Sequence, residues 1–195
     1  LYDRQRKQYQ IARQNVQIIN RKCHELKVQI ADLRRLQPDE AATQSLDEAE
    51  QAARMYDANA ATGNEVLDVV LTEKSLLCEA QRIRLNCVAD GTCLAAIEPG
   101  DLYALFSNLL DQAIDAAAQQ QNDRRMIDLL VCRRQGFAVI NVISPAREPE
   151  AAATRTEAYE LKVLRRIVQK YSGTMATEPR GELFAVKIVM PLTRG

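Results

Sequence analysis

Residues 1–36 contain neither glycine nor proline, and their apolar residues recur at alternating intervals of three and four. Tyr2, Tyr9, Val16, Cys23 and Ile30 occupy one heptad position. Ala12, Ile19, Leu26 and Leu33 occupy the other, with Gln5 the exception. This spacing predicts one long helix with a narrow apolar seam, which has to be buried against another helix. Gln37-Pro38 ends it, because proline lacks an N–H and pushes the preceding residue out of the helical region. Ala42, Leu46, Ala49, Ala53 and Tyr56 then continue a 4-3-4-3 spacing to about Ala60. Residues 1–61 are therefore expected to form an antiparallel helical hairpin. Its alanine-rich seam buries little area alone. Two hairpins in a four-helix bundle solve that problem, which predicts a homodimer through residues 1–61.

A different pattern begins at Thr62. A helix is expected over 63–80, with Val66, Leu67, Val70, Leu71 and Leu77 on its apolar side, and a strand over 82–88 before the turn Asp90-Gly91. Pro99-Gly100-Asp101 opens a second helix to about Gln121, with Asp101 as its N-cap. Strands follow at 126–132 and 137–144, then a polar, alanine-rich loop over 145–156. A helix over 158–171 stops at Ser172-Gly173, and a last strand covers 184–190. The expected class is α+β: the helical hairpin, then an α/β layer over 62–195 with helices on one face of a largely antiparallel sheet.

Composition excludes several functions. The 26 basic and 26 acidic residues cancel, so the broad positive footprint of a nucleic-acid binder is missing. No apolar run approaches the ~20 residues of a membrane span. Cys23, Cys78, Cys87, Cys93 and Cys132 are odd in number, none is spaced C-x-x-C, and there is one histidine. That pattern suits reduced thiols in a cytoplasmic protein better than a zinc site. Leu1 stands where a methionine would, so the expectation is a piece of a longer protein, with any membrane sensor upstream.

Two features carry chemistry. His24 follows the seam residue Cys23, on the flank of the first helix, and Glu25 is beside it. A neutral imidazole is a nucleophile, and an adjacent carboxylate can hold or take its second proton. Asn108, Asp111, Gln112 and Asp115 stand at i, i+3, i+4 and i+7, so they share one helical stripe. Such a stripe is either a solvated face or a set of oxygen donors for Mg²⁺ and, through it, a phosphate chain.

The run from Cys23 to Ile30, Cys-His-Glu-Leu-Lys-Val-Gln-Ile, resembles the phosphoacceptor box of sensor histidine kinases of the quorum-sensing type. Leu105 to Ala116 resembles the N-box of their GHKL-type ATP-binding domain. Residues 63–68 and 72–75 resemble that domain's first helix, and 137–145, 161–173 and 184–191 its later strands and last helix. The resemblance covers nearly the whole chain in the family's order. It implies a dimerisation and phosphotransfer hairpin over 1–61 and an ATP-binding α/β sandwich over 62–195. His24 would accept the γ-phosphoryl group of ATP with Glu25 as base. Asn108 and Gln112 would ligate Mg²⁺ on a nucleotide that Asp111 and Asp115 also face. Asn141 would stand at the start of the nucleotide lid, with Leu161 and Lys162 after it. The phosphoryl group would pass to an aspartate of a response regulator, in a cytoplasmic homodimer with no nucleic-acid partner and a membrane link only through an upstream sensor.

Three positions depart from the pattern. The second N-box asparagine is Gln112. The glycine-rich box after the lid reads Glu157-Ala158-Tyr159-Glu160-Leu161-Lys162, with both glycines gone, and no glycine occurs between Gly136 and Gly173. Thr154-Arg155-Thr156-Glu157 has the spacing of a capping box, so the helix supplies its own anions where phosphates bind in the family. These departures define an alternative: a catalytically weak or inactive kinase-like protein acting as a dimeric regulatory scaffold.

Overall fold

The computed structural model describes residues 2–36, 62–146 and 155–192. Helix α1 runs Tyr2–Leu36 and stops one residue before Gln37-Pro38. The second helix of the expected hairpin lies outside the described residues. Then come α2 (Glu65–Ala80), β1 (Arg84–Ala89), a 3₁₀ turn (Gly91–Leu94), α3 (Pro99–Ala118), a short 3₁₀ turn (Asn122–Arg124), β2 (Met126–Arg134), β3 (Phe137–Pro145), α4 (Arg155–Lys170), β4 (Thr174–Arg180) and β5 (Leu183–Pro191). No helix among the described residues is long and apolar enough to cross a membrane.

The strands form one sheet in the order β1-β2-β3-β5-β4. β1 pairs parallel with β2, and the other pairs are antiparallel. Strict alternation sets the faces. Ile127, Leu129 and Val131 of β2 and Ala138, Ile140 and Val142 of β3 are buried, while the residues between them are only half-buried. The β2–β3 hairpin turns on Gln135 and Gly136, both at positive φ (45° and 85°), the geometry of a two-residue type I′ turn. β4 was not expected from the sequence. Its segment, Thr-Met-Ala-Thr-Glu-Pro-Arg, has little apolar content and a proline. Both are tolerated because it is the edge strand.

The helices begin where backbone donors find acceptors. The Asn64 side chain accepts from the N–H groups of Val66 and Leu67 at 3.1 and 3.2 Å and caps α2. At α3 the N-cap position is Glu98, with Pro99 at the first helical position and no side-chain cap bond. Asp101, expected as the cap, instead lies in the first turn, buried against α4. Gly91 locks the start of this region to β1. Its N–H donates to the Thr62 carbonyl at 2.8 Å, and a Cβ there would stand 2.6 Å from Thr62 Oγ1 and 2.7 Å from Asn64 Cβ.

Part of the α1 seam meets α2 and α3. Ala12 and Val16 are buried in the same core cluster as Leu67 and Phe106. The Tyr9 and Tyr103 rings lie 5.8 Å apart at 54°, and Arg13 pairs with Glu65 at 2.5 Å. Ile11, Ile18, Leu26 and Val28 of α1 remain about half exposed.

Candidate functional site

α3 is walled by other elements on two sides, and a cavity lies on each. On the sheet side, a cavity of about 320 Å³ is lined by Leu109, Gln112, Ala113 and Ala116 of α3, Val142, Ser144 and Pro145 of β3 and Ala146 after it, Leu161 of α4, Pro179 of β4, and Phe184 and Val186 of β5. Small residues on α3 leave the gap, and branched residues on the sheet floor it. Gln112 and Ser144 are its polar side chains among the described residues, and none of those lining it is charged. Ser144 is 5% exposed, and its hydroxyl donates to the Pro145 carbonyl at 3.4 Å. Such a space suits a flat apolar ring oriented by a few polar atoms.

The second cavity, of about 570 Å³, opens between α1, α2 and α3, with Asn15, Lys74, Tyr103, Ser107, Asn108 and Asp111 among its walls. Lys74 is buried, and its Nζ lies 2.7 Å from Asp111 and 3.9 Å from Glu73. The Tyr103 hydroxyl donates to Glu73 at 3.1 Å. Burial, and next the Glu73 charge, pushes that phenol well above its ordinary range.

The polar stripe is thus divided between the two cavities. Gln112 lines the apolar one, Asn108 and Asp111 line the one against α1, and Asp115 is exposed one turn further on. Asn141 sits mid-strand in β3, paired with Leu130 and Lys187, on the alternation opposite to Val142 and Ser144. Leu161 is on the wall of the apolar cavity, and Lys162 is exposed. His24 lies on α1, and its side chain is outside the described ones. Glu25 is exposed and accepts from Lys22 Nζ at 2.7 Å, a bond that holds its carboxyl below the usual range. Ser144 closes the expected strand 137–144 but was not singled out as a site residue, because a lone serine at a strand end carries no motif. The alternation from Ala138 through Ile140 and Val142 was the signal that placed it on the helix side.

Among the described residues no group of three or more His, Cys, Asp or Glu converges as a metal cage. Mg²⁺ carried on nucleotide phosphates needs only one or two protein oxygens beside its waters. The side-chain amide of Gln112 fits that lighter demand.

Residues 97–191, just under half of the chain, match the family model of the GHKL domain. The catalytic domain of histidine kinase ThkA, in a nucleotide-free form, superposes with a TM-score of 0.54 over 67% of this chain and 94% of that one, at 18% identity. The histidine kinase AdeS of Acinetobacter baumannii superposes with a TM-score of 0.50 over 80% of this chain and 87% of that one, at 13% identity. No curated protein sequence matches the chain. Residues 97–191 are thus similar to the GHKL domain, and the five-stranded sheet with its helices has the fold of histidine kinase catalytic domains.

Proposed function

We propose that the chain is the cytoplasmic transmitter of a two-component sensor, in which ATP bound between α3 and the sheet phosphorylates His24. The observation that supports this most is the apolar cavity on a GHKL domain, walled by the helix that carries Gln112. The base of ATP packs between Ala113 and Ala116 on one side and Val142 and Val186 on the other. Gln112 and Ser144 offer it an amide and a hydroxyl. Nucleotide-borne Mg²⁺ would lie at Gln112, with Asn108 one turn away, and would neutralise charge on the phosphates. The His24 imidazole attacks the γ-phosphorus, the bond to the β-bridging oxygen breaks, and ADP leaves. Glu25, released from Lys22, takes the imidazole proton. The phosphoryl group passes to a response-regulator aspartate. Residues 1–61 make the homodimer. α1 and the cavity lie on different sides of α3, so transfer requires α1 to leave that side or a second copy to supply the histidine.

Incubation with γ-labelled ATP tests this. The expected product is an acid-labile phosphoprotein that His24→Gln abolishes. A folded protein that binds nucleotide yet gains no label rejects the kinase reading. The second reading, a dimeric scaffold with weak or no catalysis, is favoured by the missing glycines of residues 157–162.

A further inference from the structure

We infer that the sheet face turned away from the helices is a docking surface for a second copy of this chain, centred on β3. The described helices pack on the other face, where Phe106 and Leu164 share a core cluster with Ile127, Ile140 and Ile188. Strand alternation turns the residues between those three the opposite way. Outside α1, the four most exposed large apolar side chains among the described residues are Val88 (70%), Phe137 (45%), Leu183 (43%) and Met126 (41%). All four alternate with helix-side residues and so stand on the outer face. Leu130, Val139 and Val189, each half-buried, lie between them. A contiguous apolar surface with charge at its edges marks a site of association.

The charges on this face suit a copy of itself. Lys187 pairs with Asn141 across β3, and Asp128 pairs with Ile143. The two charges therefore lie one strand to either side of β3 and one rung apart. An isologous contact needs each residue i to meet j of the other copy, and j to meet i. A two-fold axis lying in the face, and crossing β3 between Asn141 and Ile143, meets that need. Each Lys187 then falls on the partner's Asp128, which makes two ion pairs. Strands ~4.8 Å apart that rise ~3.4 Å per residue give the five-stranded face an area of roughly 500 Å². A standard interface takes ~800 Å² from each partner, so this contact is weak and concentration-dependent. It is separate from a dimer made through residues 1–61, and it joins such dimers to one another.

Sedimentation of the full chain from ~1 to ~500 µM tests the inference. The mean mass is expected to rise at least about twofold above its dilute value, with a midpoint on the order of 100 µM. Lys187→Asp alone and Asp128→Lys alone set like charges together at both pairs, and each should weaken association about tenfold or more. The double variant Lys187→Asp/Asp128→Lys restores opposite charges and should return to within about threefold of the parent. Val88→Glu alters a side chain that the fold leaves open, and should weaken association about fivefold while the protein still melts cooperatively. A mass that stays constant over the whole range leaves the face to another occupant and overturns the inference. Association unmoved by the single variants places the contact elsewhere and overturns it as well. So does a double variant as weak as the singles when all of them melt cooperatively, because no two-fold pairing then joins Lys187 to Asp128.

Discussion

The Tyr171 hydroxyl donates to the buried Asp101 carboxylate at 2.7 Å and accepts the Glu98 N–H at 3.0 Å. Lys170 Nζ reaches the same carboxylate at 2.6 Å. The end of α4 is thereby fastened to the start of α3, across seventy residues of sequence. Tyr171→Phe removes a donor from a buried carboxylate and an acceptor from a helix-start amide. It should cost about 1–3 kcal/mol in urea unfolding. A change below about 0.3 kcal/mol would show that Lys170 satisfies Asp101 alone.

Two buried phenols and one half-buried one set an alkaline limit. Tyr9, Tyr103 and Tyr171 all have raised pKa values, with burial the first cause of each. A raised pKa means the folded state favours the neutral phenol, so this stability is present below the unfolded value of ~10 and is lost as pH rises above it. The urea midpoint should fall between about pH 10 and 12, with tyrosines that ionise late in absorbance titrations. Tyr103→Phe should flatten that fall, and an unchanged slope would locate the effect elsewhere.

Arg125 ties two helix ends together. Its guanidinium donates to Gln120 O at 2.9 Å, Gln81 O at 3.0 Å and Ala118 O at 3.2 Å, closing the C-terminal ends of α2 and α3. Arg125→Ala should destabilise by about 2–3 kcal/mol in denaturant melts. Arg125→Lys should rescue little, because an ammonium cannot span three carbonyls as the planar fork does.

Two glycines should respond oppositely to alanine. At Gly91 the new methyl meets Thr62 and Asn64 below 3 Å, so Gly91→Ala should cost about 1–3 kcal/mol. At Gly100 a Cβ meets nothing within 4 Å and φ is not positive. Gly100→Ala should leave stability unchanged or raise it by up to about 1 kcal/mol. Thermal melts of the two variants side by side check both.

Much of this arrangement was legible in the residue pattern. The 3.6-residue period of Val66, Leu67, Val70 and Leu71 and the alternation of Ile127, Leu129 and Val131 fixed helix and strand because burial on one face leaves a periodic trace. β4 left none, since an edge strand with Pro179 has one wet side and few apolar residues. Asp101 looked like a cap because Pro-Gly precedes it, while its partners Lys170 and Tyr171 are remote in sequence and leave no local mark. Tyr9, Ala12 and Val16 announced a buried stripe correctly, but a heptad does not name its partner, and here α2 and α3 cover them. Asn108, Asp111, Gln112 and Asp115 share a stripe by spacing. Which wall each meets depends on the tilt of α3 between its neighbours, which spacing cannot encode.

Asp111 and Gln112 are consecutive residues, yet one faces the helix that carries His24 and the other the apolar cavity. α3 is therefore a party wall. The two rooms share its thickness, so a side chain enlarged on either face presses on both. Substitutions that compensate one another in this protein should be found in pairs across the thickness of that single helix, one on each side.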